Sequence, residues 1–171
     1  MNIIKKCIPD DLIALQELSC RTFNDAFAHL NTAANMKAYL ETSYNCDKLR
    51  HELSDSNSSF YFLYSEGKLA GYLKLNEYQA QTDIHDPNSI ELERIYVISE
   101  LQGKALGRSL IDKAVETARA LGKSYIWLGV WEKNKKAIAF YKKNGFYEIG
   151  KHPFFLGEEK QTDFIMRKNL E

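Results

Sequence analysis

The sequence predicts a mixed α/β domain built around one twisted sheet. Three observations predict it. β-rich segments alternate with stretches of helical periodicity along the whole chain, the pattern of a sheet covered by helices. One pair of strands is joined by a tight turn at Ser65-Glu66-Gly67-Lys68. The length of 171 residues and the 44% hydrophobic content suit one ordinary domain spanning 1-171, with no repeat, low-complexity tract or linker.

The elements follow in order. Ile3–Cys7 is short and apolar, a first strand. Pro9, Asp10 and Asp11 then open a helix, because Pro suits a first turn and acids suit the positive end of the helix dipole. Leu12, Leu15, Leu18, Phe23 and Phe27 keep one face apolar. A second helix starts near Thr32, a third covers Asp47–Leu53, and Ser54–Ser59 is a polar loop. Phe60–Tyr64 and Leu69–Asn76 form the hairpin. Gln79–Ser89, with Pro87, is a loop, and Glu91–Ile98 is a strand. Gly107–Leu121 is helical and stops at Gly122. Tyr125–Trp131 is a strand and Asn134–Asn144 a short helix closed by Gly145. Phe146–Gly150 and Thr162–Arg167 are the last strands, separated by a loop.

Composition excludes several classes. Lys+Arg and Asp+Glu number 23 each, so no global field favours nucleic acid or an anionic membrane. No apolar run approaches the ~18 residues of a membrane helix, and the N-terminus lacks the apolar core of a secretion signal. Cys7, Cys20 and Cys46 are odd in number and lack paired spacing, as expected of reduced thiols in a cytoplasmic protein. His29, His51, His85 and His152 are scattered, so no metal site is expected.

Two constellations carry chemistry. The stretch Leu92 to Leu110 combines a strand, a turn Gln102-Gly103-Lys104-Ala105-Leu106-Gly107-Arg108 and a helix N-terminus. Backbone N–H groups of such a turn converge on one spot, and the helix adds partial positive charge, which together suit a phosphate. Lys104 and Arg108 can add charge-assisted contacts. The alternative is a solvated basic loop that merely caps a helix. The second constellation is Trp131-Glu132-x-Asn134-x-x-Ala137-Ile138-x-Phe140-Tyr141, ending at Gly145-Phe146. Asn134 can cap its helix or present an amide to a peptide-like ligand. Tyr141, two turns on, can protonate a leaving group or simply belong to the helix's apolar face.

Together these runs resemble the Gcn5-related N-acetyltransferase (GNAT) superfamily, over the whole chain. The resemblance implies a mostly antiparallel, mixed twisted sheet of about seven strands with about four helices, splayed between the fourth and fifth strands. It implies acetyl-CoA as cofactor. The turn Gln102–Gly107 with Arg108 would hold the pyrophosphate. Ile95, Tyr96 and Val97 would pair with the pantetheine arm, Asn134 and Ala137 would contact it, and Tyr141 would protonate the departing thiolate. One departure is Ala105, where the family's turn carries Gly, a residue far more tolerant of positive φ.

Longer strings narrow the resemblance to bacterial spermidine/spermine acetyltransferases of the PaiA type. They are Thr22-Phe23-Asn24-Asp25, Asn35–Leu40, Glu91–Val97, Ile126–Glu132 and Gln161-Thr162-Asp163. That group implies acetyl transfer to a polyamine amine, expected here by direct attack in a ternary complex; a monomer and a homodimer are both open. A protein N-terminus, a Lys side chain or an amino acid as acceptor are alternatives, as is a CoA-binding regulator. No direct nucleic-acid or membrane partner is expected. A polyamine amine is protonated at neutral pH and must lose a proton before attack. Glu93 is the first choice of base, with Glu91 on the same strand face unless a bulge intervenes. Asp25, Glu77, Asp83 and Asp86 are candidate acidic lining for the polycation.

Overall fold

The structure is a computed structural model that describes Met1–Glu171. Seven strands form one sheet in the order β1-β2-β3-β4-β5-β7-β6. They are β1 (Asn2–Lys6), β2 (Ser58–Ser65), β3 (Lys68–Asn76), β4 (Ser89–Val97), β5 (Tyr125–Trp131), β6 (Tyr147–Leu156) and β7 (Glu159–Asn169). The helices are α1 (Leu12–Phe27), α2 (Ala33–Ser43), α3 (Cys46–Ser54), α4 (Leu106–Ala120) and α5 (Lys135–Lys143), one more than the resemblance implies.

Side-chain alternation along the strands feeds two cores. On β2, Phe60 and Phe62 join Leu15, Leu18, Phe23 and Leu49 beneath α1–α3. Tyr61 and Leu63 face the other way, into a core with Leu110, Ala114, Ile138 and Tyr141 of α4 and α5. A strand covered on both faces carries a continuous apolar run, which is why Phe60–Tyr64 shows no polar alternation.

Two irregularities shape the centre of the sheet. The parallel β4–β5 pair holds for only three residue pairs, Ser89↔Tyr125, Ile90↔Ile126 and Glu91↔Trp127. β4 then runs on to Val97 and β5 to Trp131 without pairing to each other, so the sheet opens into a wedge. The second irregularity is on β4 itself. Leu92 pairs with Leu75 but Arg94 pairs with Lys74, leaving Glu93 as the extra residue of a bulge.

The C-terminal end departs from the sequence expectation. Residues 151–161 are not a loop. β6 and β7 form one long hairpin closed by Gly157 and Glu158. Pro153 lies within β6, an edge strand, where a residue without N–H is tolerated.

Candidate active site

The wedge is the mouth of a cleft of about 1390 Å³, lined on one side by β4 and on the other by β5, β6 and β7. Beyond Glu91, β4 has no strand on its β5 side, so its peptide groups there are free to pair with an extended ligand. Ile95, Tyr96 and Val97 line the cleft at this free edge.

The turn after β4 leads straight into α4. Gly103 has φ +80° and Ala105 has φ 61°, so both residues are left-handed. Ala105 therefore keeps the turn's shape while carrying a strain of about 1 kcal/mol that Gly would not. Gly107 does something different. A Cβ there would lie 3.1 Å from the Phe140 ring, so its small size permits close packing of α4 on α5. Gln102 ties the turn down: its amide donates to the Val97 carbonyl (3.1 Å) and its oxygen accepts from Lys136 (3.2 Å). Gly103, Ala105, Leu106, Gly107 and Arg108 line the cleft, with Lys135, Lys136 and Lys143 of α5 making the rim basic. Lys104 is exposed and lies outside the lining, and Arg108 is engaged with Asp112 at 2.9 Å.

On α5, Asn134 is the N-cap, its carbonyl oxygen accepting from Ala137 N at 3.2 Å. The cap does not use its NH₂ group, and the residue lines the cleft. Tyr141 is 9% exposed and its ring packs against Phe140 and Phe146. Burial alone pushes its phenol well above the usual range, so it holds its proton throughout the neutral region.

The carboxylates of β4 are occupied. Glu91 accepts from Thr82 N (2.8 Å), Thr82 Oγ1 (2.6 Å) and Asn76 Nδ2 (3.0 Å). Glu93 is paired with Lys74 and accepts from Asn76 Nδ2 at 3.0 Å, with Arg94 at 3.7 Å. Lys74 and Arg94 also share Glu52, each at 2.9 Å. Burial works against the Glu93 charge, but Arg94, Lys74 and Asn76 outweigh it and hold its pKa at about 2. Glu91 goes the other way, raised by burial and by the Glu93 charge against the pull of its donors.

Across the wedge, His152 of β6 stands beside Asp163 of β7 in register. His152 Nδ1 meets Asp83 Oδ2 at 3.0 Å, and Nε2 lies 3.7 Å from Asp163 Oδ2. Asp163 Oδ1 is buried and has no hydrogen-bond partner. Burial raises the Asp163 pKa to about 6, against a smaller downward pull from His152. Around this end stand the rings of Phe27, Tyr39, Trp131 and Phe154, with Asp25 at the margin.

A splayed sheet with a left-handed turn leading into the adjacent helix is matched by sequence comparison. Residues 15–146 match the acetyltransferase (GNAT) family. The chain belongs to that family. An uncharacterized N-acetyltransferase of Lactobacillus delbrueckii subsp. lactis is 42% identical over 160 residues, covering 94% of this chain and 92% of its own. The spermidine N(1)-acetyltransferase of Thermoplasma acidophilum is 26% identical, covering 98% of this chain and 97% of its own. Among solved structures, the PaiA N-acetyltransferase of T. acidophilum, in complex with coenzyme A, superposes with a TM-score of 0.82 at 24% identity, covering 99% of both chains. The protein is thus a GNAT N-acetyltransferase, and the family's acetyl donor is acetyl-CoA.

Within the GNAT frame several expectations change. Glu93, the expected base, lines the cleft but stands in an ion network in which Arg94, Lys74 and Asn76 favour its charged form. Glu77 is spent on Lys123 (2.9 Å) and Asp86 on the Tyr125 hydroxyl (2.8 Å), and neither lines the cleft. Asp83 stands behind His152, also outside the lining, and Asp25 lines the cleft, its Oδ2 accepting from Ser99 Oγ at 3.4 Å. The pair His152–Asp163 was missed. Its signal existed only in the hairpin register, which the loop reading of 151–161 concealed.

Proposed function

We propose that this GNAT protein transfers acetyl from acetyl-CoA to a primary amine of a polyamine such as spermidine or spermine, by direct attack in a ternary complex. The observation that carries the reading is the asymmetry of the cleft at the wedge. One end is a left-handed turn with a basic rim; the other is walled by aromatic rings and carboxylates. A polycation with methylene spacers wants that second kind of wall, apolar and aromatic for the chain and acidic for the ammonium groups.

When bound, acetyl-CoA supplies an activated acyl carbon and a thiol leaving group. The residues that would hold it are Gly103 to Arg108 for the phosphates and Ile95 to Val97 with Asn134 for the peptide-like arm. The free β4 edge and the two left-handed residues fit such a ligand. Tyr141, protonated at neutral pH and lining the cleft, is the acid available to a departing sulfur. The three free cysteines agree with a cytoplasmic setting.

The test is an acceptor panel with thiol-release detection, preceded by a thermal-shift measurement with acetyl-CoA. Acetyl-CoA at 100 times its Kd should add ~2.7 kcal/mol of stability. Spermidine and spermine should be the best acceptors. A clear preference for a lysine peptide, a protein N-terminus or a free amino acid would replace the polyamine, and no acetyl-CoA shift would remove the donor site.

A further inference from the structure

Of the carboxylates that line the cleft, Glu91 and Glu93 are held by donors from inside the protein. Glu91 has three donors, and Glu93 has Lys74 and Asn76. Asp163 is the exception. It is 8% exposed, its Oδ1 has no donor, and its Oδ2 stands 3.7 Å from His152 Nε2. A buried carboxylate oxygen without a donor is expensive and persists where a ligand brings the donor.

On β5, Trp131 is in register with Asp163, and Gly129, two residues back on the same face, lets the pair approach the strand closely: a Cβ there would lie 3.0 Å from His152 Nε2 and 3.4 Å from Asp163 Oδ2. His152 is held from behind by Asp83, whose loop is itself constrained. Ile84 and His85 have φ 62° and 55°, and Ile84 N donates to Asp83 Oδ1 at 2.6 Å. A β-branched residue at positive φ is costly, and such strain concentrates at working sites. The ionisable groups around Asp163 are His152 from β6, Tyr39 from α2 and, through His152, Asp83 and His85 of the loop.

We infer that Asp163 is the subsite for the acceptor's ammonium group and takes its proton, with His152 and Asp83 as positioning residues that hold it in place. This rests on the amine-acceptor reading above. The ammonium N–H bond breaks, its electron pair stays on nitrogen, and the proton goes to Asp163 Oδ1. Nitrogen then forms the N–C bond while the C–S bond breaks and its pair leaves on sulfur. Tyr141 gives sulfur its proton and regains one from the nitrogen as the amide forms. The proton on Asp163 passes to solvent along the partly exposed His152, so one proton is released per turnover.

The experiment uses the full chain as wild type, Asp163→Asn, Asp163→Glu and His152→Gln. Acetyl-CoA binding is read by melting temperature, spermidine binding by calorimetry, and kcat/KM by thiol release from about pH 5 to 9. Asp163→Asn should bind acetyl-CoA as wild type does, weaken spermidine at least ~10-fold and lower kcat/KM ~10²-fold or more. Wild-type kcat/KM should rise with pH through about 6, and Asp163→Asn should lose that inflection. Asp163→Glu should recover part of the activity, and His152→Gln should move the inflection. Retention of the inflection by Asp163→Asn, with kcat/KM within about threefold of wild type, overturns the inference. If wild type ignores spermidine but acetylates another primary amine, the polyamine reading fails and the same comparison on that amine decides the role of Asp163. If no primary amine is turned over, the amine-acceptor reading falls and this inference with it.

Discussion

The two flanks of the wedge carry the same chemical group in opposite conditions. On β4, Glu93 sits among Lys74, Arg94 and Asn76 and is held at a pKa of about 2. On β7, Asp163 is buried beside His152, has one oxygen without a donor and is pushed to about 6. A carboxylate whose partners are all inside the protein stabilises the fold and is chemically quiet. One whose partner is missing weakens the fold and is ready to bind or take a proton. On the inference drawn above, Glu93 serves architecture and Asp163 chemistry.

Substitutions at each flank can break that contrast. The largest effect is expected from Asp163→Asn. Amine turnover should fall ~10²–10⁴-fold while the fold gains stability. The sign follows from linkage: an acid whose folded pKa of about 6 exceeds its ordinary 3.8 weakens the fold as pH rises across that window. Removing it should therefore raise the melting temperature at pH 8, by about 1–2 kcal/mol of stability, and leave it unchanged near pH 4. Tyr141→Phe keeps the packing with Phe140 and Phe146 but removes the acid. Steady-state kinetics should show kcat down ~10²-fold with KM little changed.

Glu93→Gln tests the other flank. Breaking a buried ion pair leaves Lys74 and Arg94 short of charge and should cost about 3 kcal/mol, read by denaturant unfolding. Glu93's own contribution is full above its ordinary 4.5 and is lost as pH falls towards about 2. The folded fraction should keep the wild-type pH profile, whereas a base at Glu93 would give a loss larger at pH 7 than at pH 9. Gly129→Ala crowds His152 and Asp163 and should raise the amine KM ~10-fold without weakening acetyl-CoA binding. The smallest effect is Ala105→Gly. Relief of left-handed strain, partly offset by the freer unfolded chain, should net about 0.5–1 kcal/mol in a thermal melt.

The cradle half of the cleft was legible in the sequence because it is local. The turn Gln102–Gly107, the capping Asn134 and the helical Tyr141 sit at fixed spacings on adjacent elements, and spacing alone brings them near each other. Strand and helix boundaries were also legible wherever Gly122, Gly145 or the Glu66-Gly67 turn punctuates the chain. The Asp163 end of the cleft was hidden because it is non-local. Asp83, His152 and Asp163 meet only through the register of the β6–β7 hairpin and the placement of a loop with positive φ at Ile84. Residues 151–161 are a strand pair by tertiary placement: β6 is an edge strand, which tolerates Pro153. The bulge at Glu93 was likewise invisible, and it turns Glu93 and Arg94 to the same side, where they join one ion network.

The pH profile of kcat/KM for spermidine, measured side by side in Asp163→Asn and Glu93→Gln at matched folded fraction, tests the division of labour most directly. The predicted result is an inflection near pH 6 that Glu93→Gln keeps and Asp163→Asn loses together with most of the rate. The contradicting result is the reverse, with Asp163→Asn retaining both rate and inflection and Glu93→Gln losing them.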